Sequence, residues 1–574
     1  MTTPALILID CQRARLGHAA RLDDLLGDKS VLEHTVDRAL QVQGVDQVVL
    51  LHPQGQDVSA LVAPVVDRVR VLDYQLTCVE QVHADVIASA RKWSMTAWRG
   101  GIGGTTVVDE LLPAGPIVRA MQQLDAQAAV IVRGDWCCFD PGLASEQLAV
   151  HLSAPEAMKL TFTQAPPGLS VLVAARKVLE DFAQHGASVA NVLCYNPSKP
   201  GLDPISRDVC IAVPSSVRDQ HRRFIYDTPR AIGHLRAIAD GLGDALATAD
   251  AQAITQASRQ VECDRPALQL DHLPQQWSLE LTTQRQATGW IVPQSHLDLP
   301  RTEPMDTKLA CDIVKQLGDV GDASIMLGGL GDALMHPDLP VIVNAAREAG
   351  VMGIGIETDL LVEPEAIEQL AQLDVDVISV RINADSKAVY EELMGLDGYK
   401  RVLDNLQALF RTRTNNRTHA HDSETGQKLQ GFQGWIVPRL IKVADNLKDL
   451  ETFFERWMTL AGWAVVDRYP TGHGLIADRG PVPMDPPRKS AKPNQQKTRL
   501  SVLSDGSVVL CHHDWLAQAT LGSAHTQRLS DLWRAAPGLA DDILGRPEND
   551  RPICRYCQDW LSVQARDAQA ALAV

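Results

Sequence analysis

One strand-to-helix unit of the chain reads A-S-I-M-L-G-G-L-G-D-A-L-M-H-P-D-L over residues 323–339. The short apolar run at its start predicts a buried strand, and the glycines after it predict a tight turn into a helix. Similar apolar runs stand at 277–283, 353–358 and 375–382, and a stretch with helical spacing follows each of them. Repeated strand–helix units of this kind predict a full or partial (β/α) barrel.

The part of the chain before this barrel also alternates strands and helices. Apolar runs at 5–9, 47–51 and 128–133 predict strands, and the spacing of residues 31–40 predicts a helix. This order is typical of an open parallel sheet, in which ligands bind at the carboxyl ends of the strands.

The predicted fold class is therefore α/β, with a Rossmann-like sheet first, a barrel second and a small α+β extension last. The stretch 411–430 is polar and aperiodic, and we expect it to be a solvated loop. The expected divisions are a sheet domain at 1–245, a helical connector at 246–275, a barrel at 276–445 and an extension at 446–574.

Composition and charge argue against several classes of protein. The chain has 574 residues, of which 45% are hydrophobic and 22% charged, so it is expected to be folded rather than disordered. Its formal net charge of −17 argues against general nucleic-acid binding, which needs a surplus of Lys and Arg. The sequence shows neither a long apolar run nor a signal-peptide pattern, which predicts a cytoplasmic protein without a membrane partner.

The eleven cysteines are scattered through the chain, which does not favour a disulfide framework. Near the end, the stretches D-G-S-V-V-L-C-H-H-D, L-G-S-A-H-T-Q-R-L-S-D-L-W-R and P-I-C-R-Y-C follow one another. In that order they resemble the SPASM extension of radical SAM enzymes, with Gly522-Ser523 at the position where the family usually has Gly-Asn. The resemblance covers about the last 75 residues.

The SPASM resemblance implies an iron–sulfur site, with Cys511, Cys554 and Cys557 as thiolate ligands. A [4Fe–4S] cluster usually has four ligands, so a fourth is expected from His512, His513, Asp514 or a substrate. A zinc site, or a pair of thiols without a metal, remains the alternative.

The barrel resembles the radical SAM family at four places in order. M-L-G-G-L-G-D-A-L-M-H-P-D-L resembles the family's segment for the methionine group, I-E-T-D-L-L its T-N-G strand end, and V-I-S-V-R-I-N-A its S-x-D-A strand. Y-E-E-L-M-G and Y-K-R-V-L-D-N-L complete the pattern. The resemblance implies a pocket for S-adenosylmethionine lined by Gly328, Gly329, Gly331, Asp332, Thr358 and Ser379. The glycines are also explained by a tight strand-to-helix turn alone.

The loop that should carry the family's C-x-x-x-C-x-x-C motif reads T-T-Q-R-Q-A-T-G-W-I-V. Its three expected cysteine positions hold Arg285, Gly289 and Val292, none of which supplies a thiolate. Because reductive cleavage of S-adenosylmethionine needs that cluster, the sequence predicts a barrel without radical chemistry.

The first 245 residues resemble GT-A-like nucleotidyltransferases, in particular the cytidylyltransferase branch. The match lies in G-D-K-S-V-L-E-H after the first loop, where Lys29 falls in register, and Arg13, Arg15 and Arg21 are candidates to contact phosphates. These arginines are equally explained as solvated loop residues.

Two carboxylates of this domain are candidates for a Mg²⁺ site. Asp135 in V-I-V-R-G-D-W and Asp227 in F-I-Y-D-T-P-R match the family's metal-binding positions. Both also suit the start of a helix, where an Asp often caps the first turn.

The combination of these three parts resembles spiro-SPASM-type proteins over nearly the whole chain. The leading hypothesis is a protein unable to do radical chemistry that binds a nucleotide, a nucleotide-sugar or an S-adenosylmethionine-like ligand, with one auxiliary cluster. The alternatives are a Mg²⁺-dependent, sugar-activating nucleotidyltransferase and a non-catalytic scaffold for a radical SAM partner protein. The sequence identifies no catalytic residue.

Overall fold

The computed structural model describes residues 2–155, 159–193, 209–264, 273–420, 431–481 and 499–535. The chain divides into two compact units, Met1–Gln269 and Leu270–Val574. Each unit has a hydrophobic core of its own. No helix among these residues is long and apolar enough to cross a membrane.

The first unit is built around a mixed seven-stranded sheet in the order β5-β4-β1-β6-β8-β7-β9. Strand β1 is parallel to both β4 and β6, and β8 is antiparallel to its neighbours β6 and β7. The strands of this unit are β1 Pro4–Leu8, β2 Leu25–Leu26, β3 Lys29–Ser30, β4 Gln47–Pro53, β5 Arg70–Tyr74, β6 Ala128–Arg133, β7 Leu160–Thr163, β8 Leu172–Ala175 and β9 Cys210–Ile211.

Helices cover this sheet, and local sequence signals fix their ends. Ser30 caps the first helix in a capping box with Glu33, as a Ser three residues before a Glu is expected to do. The helices are α1 Val31–Leu40, α2 Ser59–Val62, α3 Cys78–Arg91, α4 Ala114–Gln123, α5 Pro141–Ser153, α6 Arg176–His185, α7 Val189–Val192, α8 Ser215–Arg218, α9 Pro229–Leu242 and α10 Ala251–Asp264.

The stretch that follows α9 is hydrogen-bonded to α1. Arg38 of α1 is buried and donates to the carbonyl oxygens of Phe139 at 3.0 Å, Leu246 at 2.7 Å and Ala249 at 2.9 Å. Helix α10 lies beside α9, where the side chains of His234 and Ser258 are 2.8 Å apart. The predicted connector therefore contains a helix that packs on the sheet domain.

The second unit has a nine-stranded sheet in the order β15-β14-β13-β12-β11-β10-β16-β17-β18. Neighbouring strands from β15 to β16 are parallel, and β17 and β18 are added antiparallel. Among the described strands, no pairing closes this sheet into a ring. The strands are β10 Gln276–Leu279, β11 Ser324–Leu327, β12 Gly353–Thr358, β13 Val377–Arg381, β14 Trp435–Lys442, β15 Val465–Arg468, β16 Arg499–Val502, β17 Ser507–Val509 and β18 Thr520–Ser523.

The parallel strands and their helices confirm the predicted α/β class, with repeated strand–helix units in this unit. The sheet continues past residue 445 through β15, and β16 joins it beside β10. The helices of this unit are α11 Thr307–Gly318, α12 Leu339–Glu348, α13 Pro364–Leu370, α14 Lys387–Met394, α15 Tyr399–Thr418 and α16 Leu450–Ala461.

The prediction of a solvated loop at 411–430 is wrong for residues 411–418, which form the last two turns of α15. Their polar side chains bind backbone groups of neighbouring segments. Arg417 donates to the carbonyls of Gln433 and Gly434 at 2.8 and 2.9 Å, and Asn416 donates to Ala371 and Phe432 at 3.1 Å each. Residues 421–430 lie outside the described part of the chain.

Candidate functional site

An arginine–carboxylate pair lies in the loop after β10, where the sequence lacks its expected cysteines. Arg285 and Asp359 are both buried, and Arg285 Nε lies 2.9 Å from Asp359 Oδ2 while a second guanidinium nitrogen contacts Oδ1. Burial alone lowers the pKa of Arg285, but Asp359 outweighs it, so the pKa is raised and the side chain stays charged. The other two expected cysteine positions, Gly289 and Val292, lie on the same loop.

Gly289 has no space for a side chain. A Cβ at this position would overlap the carbonyl oxygen of Leu393 and the backbone of Met394 at the end of α14. The backbone N–H groups of Thr288 and Gly289 both donate to the Met394 carbonyl, at 3.1 and 2.8 Å. The loop is therefore packed against α14 through its backbone.

Asp332 and Thr358, both predicted to contact a cofactor, are brought together in the interior. Asp332 accepts hydrogen bonds from Thr358 Oγ1 at 3.0 Å and from the backbone N–H groups of Asp359 at 2.8 Å and Leu334 at 2.9 Å. Burial and the neighbouring Asp359 carboxylate raise the pKa of Asp332 to about 6. These contacts hold the loop after β11 against the end of β12.

The three predicted cofactor-binding glycines have structural reasons of their own. A Cβ at Gly331 would overlap the carbonyl oxygen of Thr282, and one at Gly328 would lie 2.7 Å from Glu357 Cβ. Gly329 has a φ of +133°, a conformation that favours glycine. Close packing of the chain explains all three, and their contact with a ligand stays a prediction.

A charged network that the sequence did not suggest lines the neighbouring strands. Glu357 accepts from Arg381 and from Arg439 at 2.7 Å each, and Arg439 Nη2 lies 2.6 Å from Asp467. Ser379, the remaining predicted cofactor residue, lies within 3.5 Å of Arg439. Their strand positions put these side chains on one face of the sheet, because side chains two residues apart along a strand share a face.

A second buried ion pair joins the segment after β10 to the β16–β17 hairpin. Glu280 lies 2.6 Å from Arg301 Nε, and Arg301 also donates to the Trp515 carbonyl at 2.6 Å. The Glu280 carboxylate accepts from the backbone N–H groups of Leu330 and Ser504 at 3.3 Å each. One carboxylate thus binds the loops after β11 and β16.

Cys511 is the predicted cluster ligand that the structure describes. Its sulfur lies 3.0 Å from Nε2 of His473, a residue with φ of +58° in the T-G-H-G stretch. The ring centroids of His473 and His513 are 5.3 Å apart, and those of His512 and His513 are 4.0 Å apart. No spacing pattern in the sequence points to His473, because it lies 38 residues before Cys511.

Asp514 and His512, two of the candidates for the fourth cluster ligand, lie in different environments. Asp514 accepts hydrogen bonds from the backbone N–H groups of Gln518 and Ala519 at 2.8 Å each, so both of its carboxylate oxygens already have a partner. His512 is held neutral, because burial and the nearby His513 and Arg499 lower its pKa well below the usual value.

The full predicted ligand set is not within the described residues, since Cys554 and Cys557 lie outside them. Within the described part of the chain, no group of three or more His, Cys, Asp or Glu side chains is arranged to hold a metal ion. The three-thiolate site therefore stays a prediction.

In the first unit, Arg15 is placed differently from the other predicted phosphate ligands. Its Nε and Nη2 are buried and have no hydrogen-bond partner among the described residues. Burial and the nearby Arg133 lower the pKa of Arg15 to about 10, so the side chain stays charged at neutral pH. By contrast, Arg13 is exposed, and Lys29 lies 2.7 Å from Asp37.

The two candidate Mg²⁺ ligands lie near each other, but each is bound by an arginine. Asp135 lies 3.2 Å from Arg133 Nε, and both Asp227 oxygens lie 2.9 Å from Arg223 Nε. The backbone carbonyl of Asp135 accepts from Tyr226 N at 2.8 Å, which places the two segments side by side. Free carboxylate oxygens are what Mg²⁺ needs, so these residues do not fit that ion as they stand.

A pocket of about 500 Å³ opens at the carboxyl ends of β4 and β5. It is lined by Leu51, Leu72, Tyr74, Pro116 and Ala120, among others. Its position at the strand ends is the usual place for a ligand in a sheet of this kind.

Two family models match the second unit. Residues 294–430 match the Radical SAM superfamily, and residues 494–558 match SPASM, described as an iron–sulfur cluster-binding domain. The chain carries a radical SAM domain and a SPASM domain. The radical SAM match begins two residues after Val292, at the end of the loop without cysteines.

The known proteins that are similar to this chain share low sequence identity with it. An uncharacterized protein of Treponema pallidum (strain Nichols) is 22% identical over 273 residues, covering 46% of this chain and 72% of that protein. Among solved structures, BtrN in complex with AdoMet and 2-DOIA is 16% identical with a TM-score of 0.33, covering 50% of this chain and 94% of BtrN.

Two further solved structures each cover about half of the chain. Streptococcus suis SuiB bound to precursor peptide SuiA is 12% identical with a TM-score of 0.38, covering 54% of this chain and 76% of SuiB. A cytidylyltransferase from Leptospira borgpetersenii is 12% identical with a TM-score of 0.30, covering 47% of this chain and 97% of that enzyme.

Proposed function

We propose that this radical SAM–SPASM protein does not cleave S-adenosylmethionine reductively and instead acts as a binding protein. Its first unit binds a nucleotide or nucleotide-sugar, and its SPASM domain holds one auxiliary iron–sulfur cluster. The observation that carries the first part is the buried Arg285–Asp359 pair in the loop that lacks cysteines.

The residues of that loop do not fit a cluster. Arg285 brings a positive charge that is neutralised by Asp359, and Val292 is buried in the hydrophobic core. Gly289 lies against the end of α14 without room for a thiol. A [4Fe–4S] cluster needs thiolate ligands, and none of these three positions offers one.

The glycine-rich loop supports the same proposal, because its backbone acceptors are already bound. Arg381 donates to the Gly329 carbonyl at 3.0 Å, and Arg285 donates to the Leu330 carbonyl at 3.2 Å. A cationic ligand such as S-adenosylmethionine would have to displace these guanidinium groups. We therefore place the nucleotide in the first unit rather than in the barrel.

Product analysis tests the proposed lack of radical chemistry. The full chain, loaded anaerobically with iron and sulfide, would be incubated with S-adenosylmethionine and dithionite. We expect no 5′-deoxyadenosine above the protein-free background, and formation of this product in proportion to protein would overturn the proposal.

For the auxiliary cluster we propose Cys511, Cys554 and Cys557 as thiolate ligands and His473 as the nitrogen ligand. The close approach of His473 Nε2 to the Cys511 sulfur supports this choice, because the two candidate ligand atoms are close enough to bind the same cluster. Cys and His together suit an iron–sulfur cluster or zinc. A bound cluster would supply one-electron transfer at this site.

Metal analysis of anaerobically purified protein separates the two metals. We expect iron and acid-labile sulfide with absorption near 400 nm, and loss of most iron in Cys554→Ser and in His473→Ala. His185→Ala, at the exposed end of α6, is the matched control and should keep full iron content. Colourless protein that contains zinc would contradict the cluster.

Two observations support nucleotide binding by the first unit. Two buried nitrogens of Arg15 have no hydrogen-bond partner among the described residues, and a pocket opens at the ends of β4 and β5. Guanidinium groups suit phosphate because they present several donors in one plane. A rise in the melting temperature with CTP or with CMP-sugars would support the proposal.

The two alternative functions make different predictions. A Mg²⁺-dependent nucleotidyltransferase would release pyrophosphate from CTP, which the arginine-bound state of Asp135 and Asp227 disfavours. A scaffold would bind no nucleotide at all. Absence of any melting-temperature change with nucleotides would therefore favour the scaffold.

A further inference from the structure

Asp227, one of the two carboxylates at the predicted metal position of the first unit, belongs to a buried chain of alternating charges. Arg223 contacts Asp227 and also Glu110, whose Oε2 lies 2.7 Å from Arg223 Nη2. Glu110 in turn lies 2.9 Å from Arg91 Nε. All four of these side chains are at most 3% exposed. Each charge in this chain has an opposite charge next to it.

A divalent cation would disrupt this arrangement. To bind Asp227 it would have to displace Arg223, whose guanidinium would then remain buried with one partner fewer. Removing one partner of a buried ion pair is costly, because the other charge is left uncompensated. The Arg133–Asp135 pair presents the same obstacle on the neighbouring segment, with side chains that are 12% and 4% exposed.

Arg15 shows the opposite situation, with buried donors and no acceptor. Within the described part of the chain, its Nε and Nη2 lack any hydrogen-bond partner. Buried donors without acceptors are uncommon in native proteins, and a water, an ion or a ligand can supply the missing acceptor. Arg133 is close enough to Arg15 to lower its pKa, so two guanidinium groups lie in the same region.

We propose that Arg15, with Arg133 beside it, binds the phosphate groups of a nucleotide without a divalent cation. This inference rests on the proposed nucleotide binding and adds that the arginines of this site take over the charge neutralisation expected of Mg²⁺. The carboxylates stay paired with Arg133 and Arg223, and the nucleotide is bound without being activated for transfer.

Isothermal titration calorimetry of the full chain tests the inference, with CTP, cytidine and pyrophosphate as probes. We expect CTP and pyrophosphate to bind equally well in EDTA and in MgCl₂, and cytidine to bind at least tenfold more weakly than CTP. Arg15→Gln should weaken CTP binding by about tenfold or more, the scale of a lost charge-assisted contact. Arg218→Gln, at an exposed arginine of α8 in the same unit, is the matched control and should change it less than about twofold, as expected for an exposed charge.

A second variant distinguishes a phosphate site built from arginines from a site built for Mg²⁺. Asp135→Asn frees Arg133 from its partner, so we expect CTP binding in EDTA to tighten by about threefold, the size of one partly screened charge. A site built for Mg²⁺ would lose affinity in this variant instead.

The possible failures are distinguishable. Binding that appears only with MgCl₂ and is lost in Asp135→Asn would overturn the inference and leave nucleotide binding intact. No binding of CTP or pyrophosphate under either condition would overturn both. Normal CTP binding by Arg15→Gln would overturn the assignment of this residue.

Discussion

Gly289 shows how packing excludes a side chain from one position of the loop after β10. Its α-carbon lies directly against the backbone at the end of α14, so any side chain there would collide with atoms that cannot rotate away. By contrast, Gly233 in α9 faces open space: apart from its two neighbours and the backbone of its own helix, no described atom lies within 4 Å of a Cβ built there.

This contrast gives a matched pair of variants. We expect Gly289→Ala to lower the free energy of unfolding by about 1–3 kcal/mol or more, the usual cost of overpacking. Gly233→Ala should raise it by about 0.5–1 kcal/mol, because Ala is the better helix former. Urea unfolding measures both, and equal stability of the two variants would contradict the packing of the loop.

Asp332 provides a prediction that depends on pH. Because burial and Asp359 raise its pKa in the folded state to about 6, Asp332 holds its proton more tightly when folded than when unfolded. Its contribution to stability is complete below about pH 4 and is lost as the pH rises through about 6, by at most about 3 kcal/mol.

The test compares Asp332→Asn with the unmodified chain by urea unfolding at several pH values. The stability of the unmodified chain relative to this variant should fall between about pH 4 and pH 7, the window set by the ordinary and the raised pKa. A difference that is constant over this range would show that Asp332 has an ordinary pKa.

At the residue scale, the sequence identified Arg285 as the cation in place of a cysteine but not its partner. In the sequence Asp359 is one residue of I-E-T-D-L-L, and nothing in its spacing relates it to a residue 74 positions earlier. His473 and the Arg223–Glu110 contact were missed for the same reason, because pairs distant in the chain have no local signal.

At the scale of elements, the predictions were best where apolar residues decide the structure. Predicted strands at 5–9, 128–133 and 353–358 agree with β1, β6 and β12 to within one residue at each end. The loop prediction fails over residues 411–418 because Asn416 and Arg417 are polar and yet lie in a packed helix. Their hydrogen bonds to distant backbone carbonyls compensate for burial, which a pattern of apolar spacing cannot show.

Glu280 links elements that are far apart in the chain, and this gives an element-scale prediction. In Glu280→Gln the buried Arg301 loses its counter-charge, so we expect a loss of about 3–5 kcal/mol in the free energy of unfolding. The loops after β11 and β16, which donate to the same carboxylate, should exchange amide hydrogens faster.

Hydrogen exchange followed by mass spectrometry measures the effect by segment. The strands β1, β4 and β6 of the first unit are the internal control, since they lie in the other compact unit. Unchanged exchange at Leu330 and Ser504 would show that Glu280 does not hold these two loops.

For the whole molecule, two separate hydrophobic cores predict two unfolding transitions. The first core is formed by residues of Met1–Gln269 and the second by residues of Leu270–Val574. A ligand stabilises only the state that binds it, so CTP should raise the temperature of one transition and leave the other unchanged. Differential scanning calorimetry of the full chain measures both, and one transition that moves as a whole would contradict independent units.

The three backbone acceptors of Arg38 have a practical consequence for any attempt to isolate the first unit. A fragment that stops at the predicted boundary of residue 245 would remove Leu246 and Ala249, two of the three carbonyls that this buried guanidinium binds. The α5 cap residue Asp140 would also lose the backbone N–H of Ala251, which lies 2.8 Å from its carboxylate. An expression fragment intended for ligand-binding studies should therefore extend through Asp264, the last residue of α10.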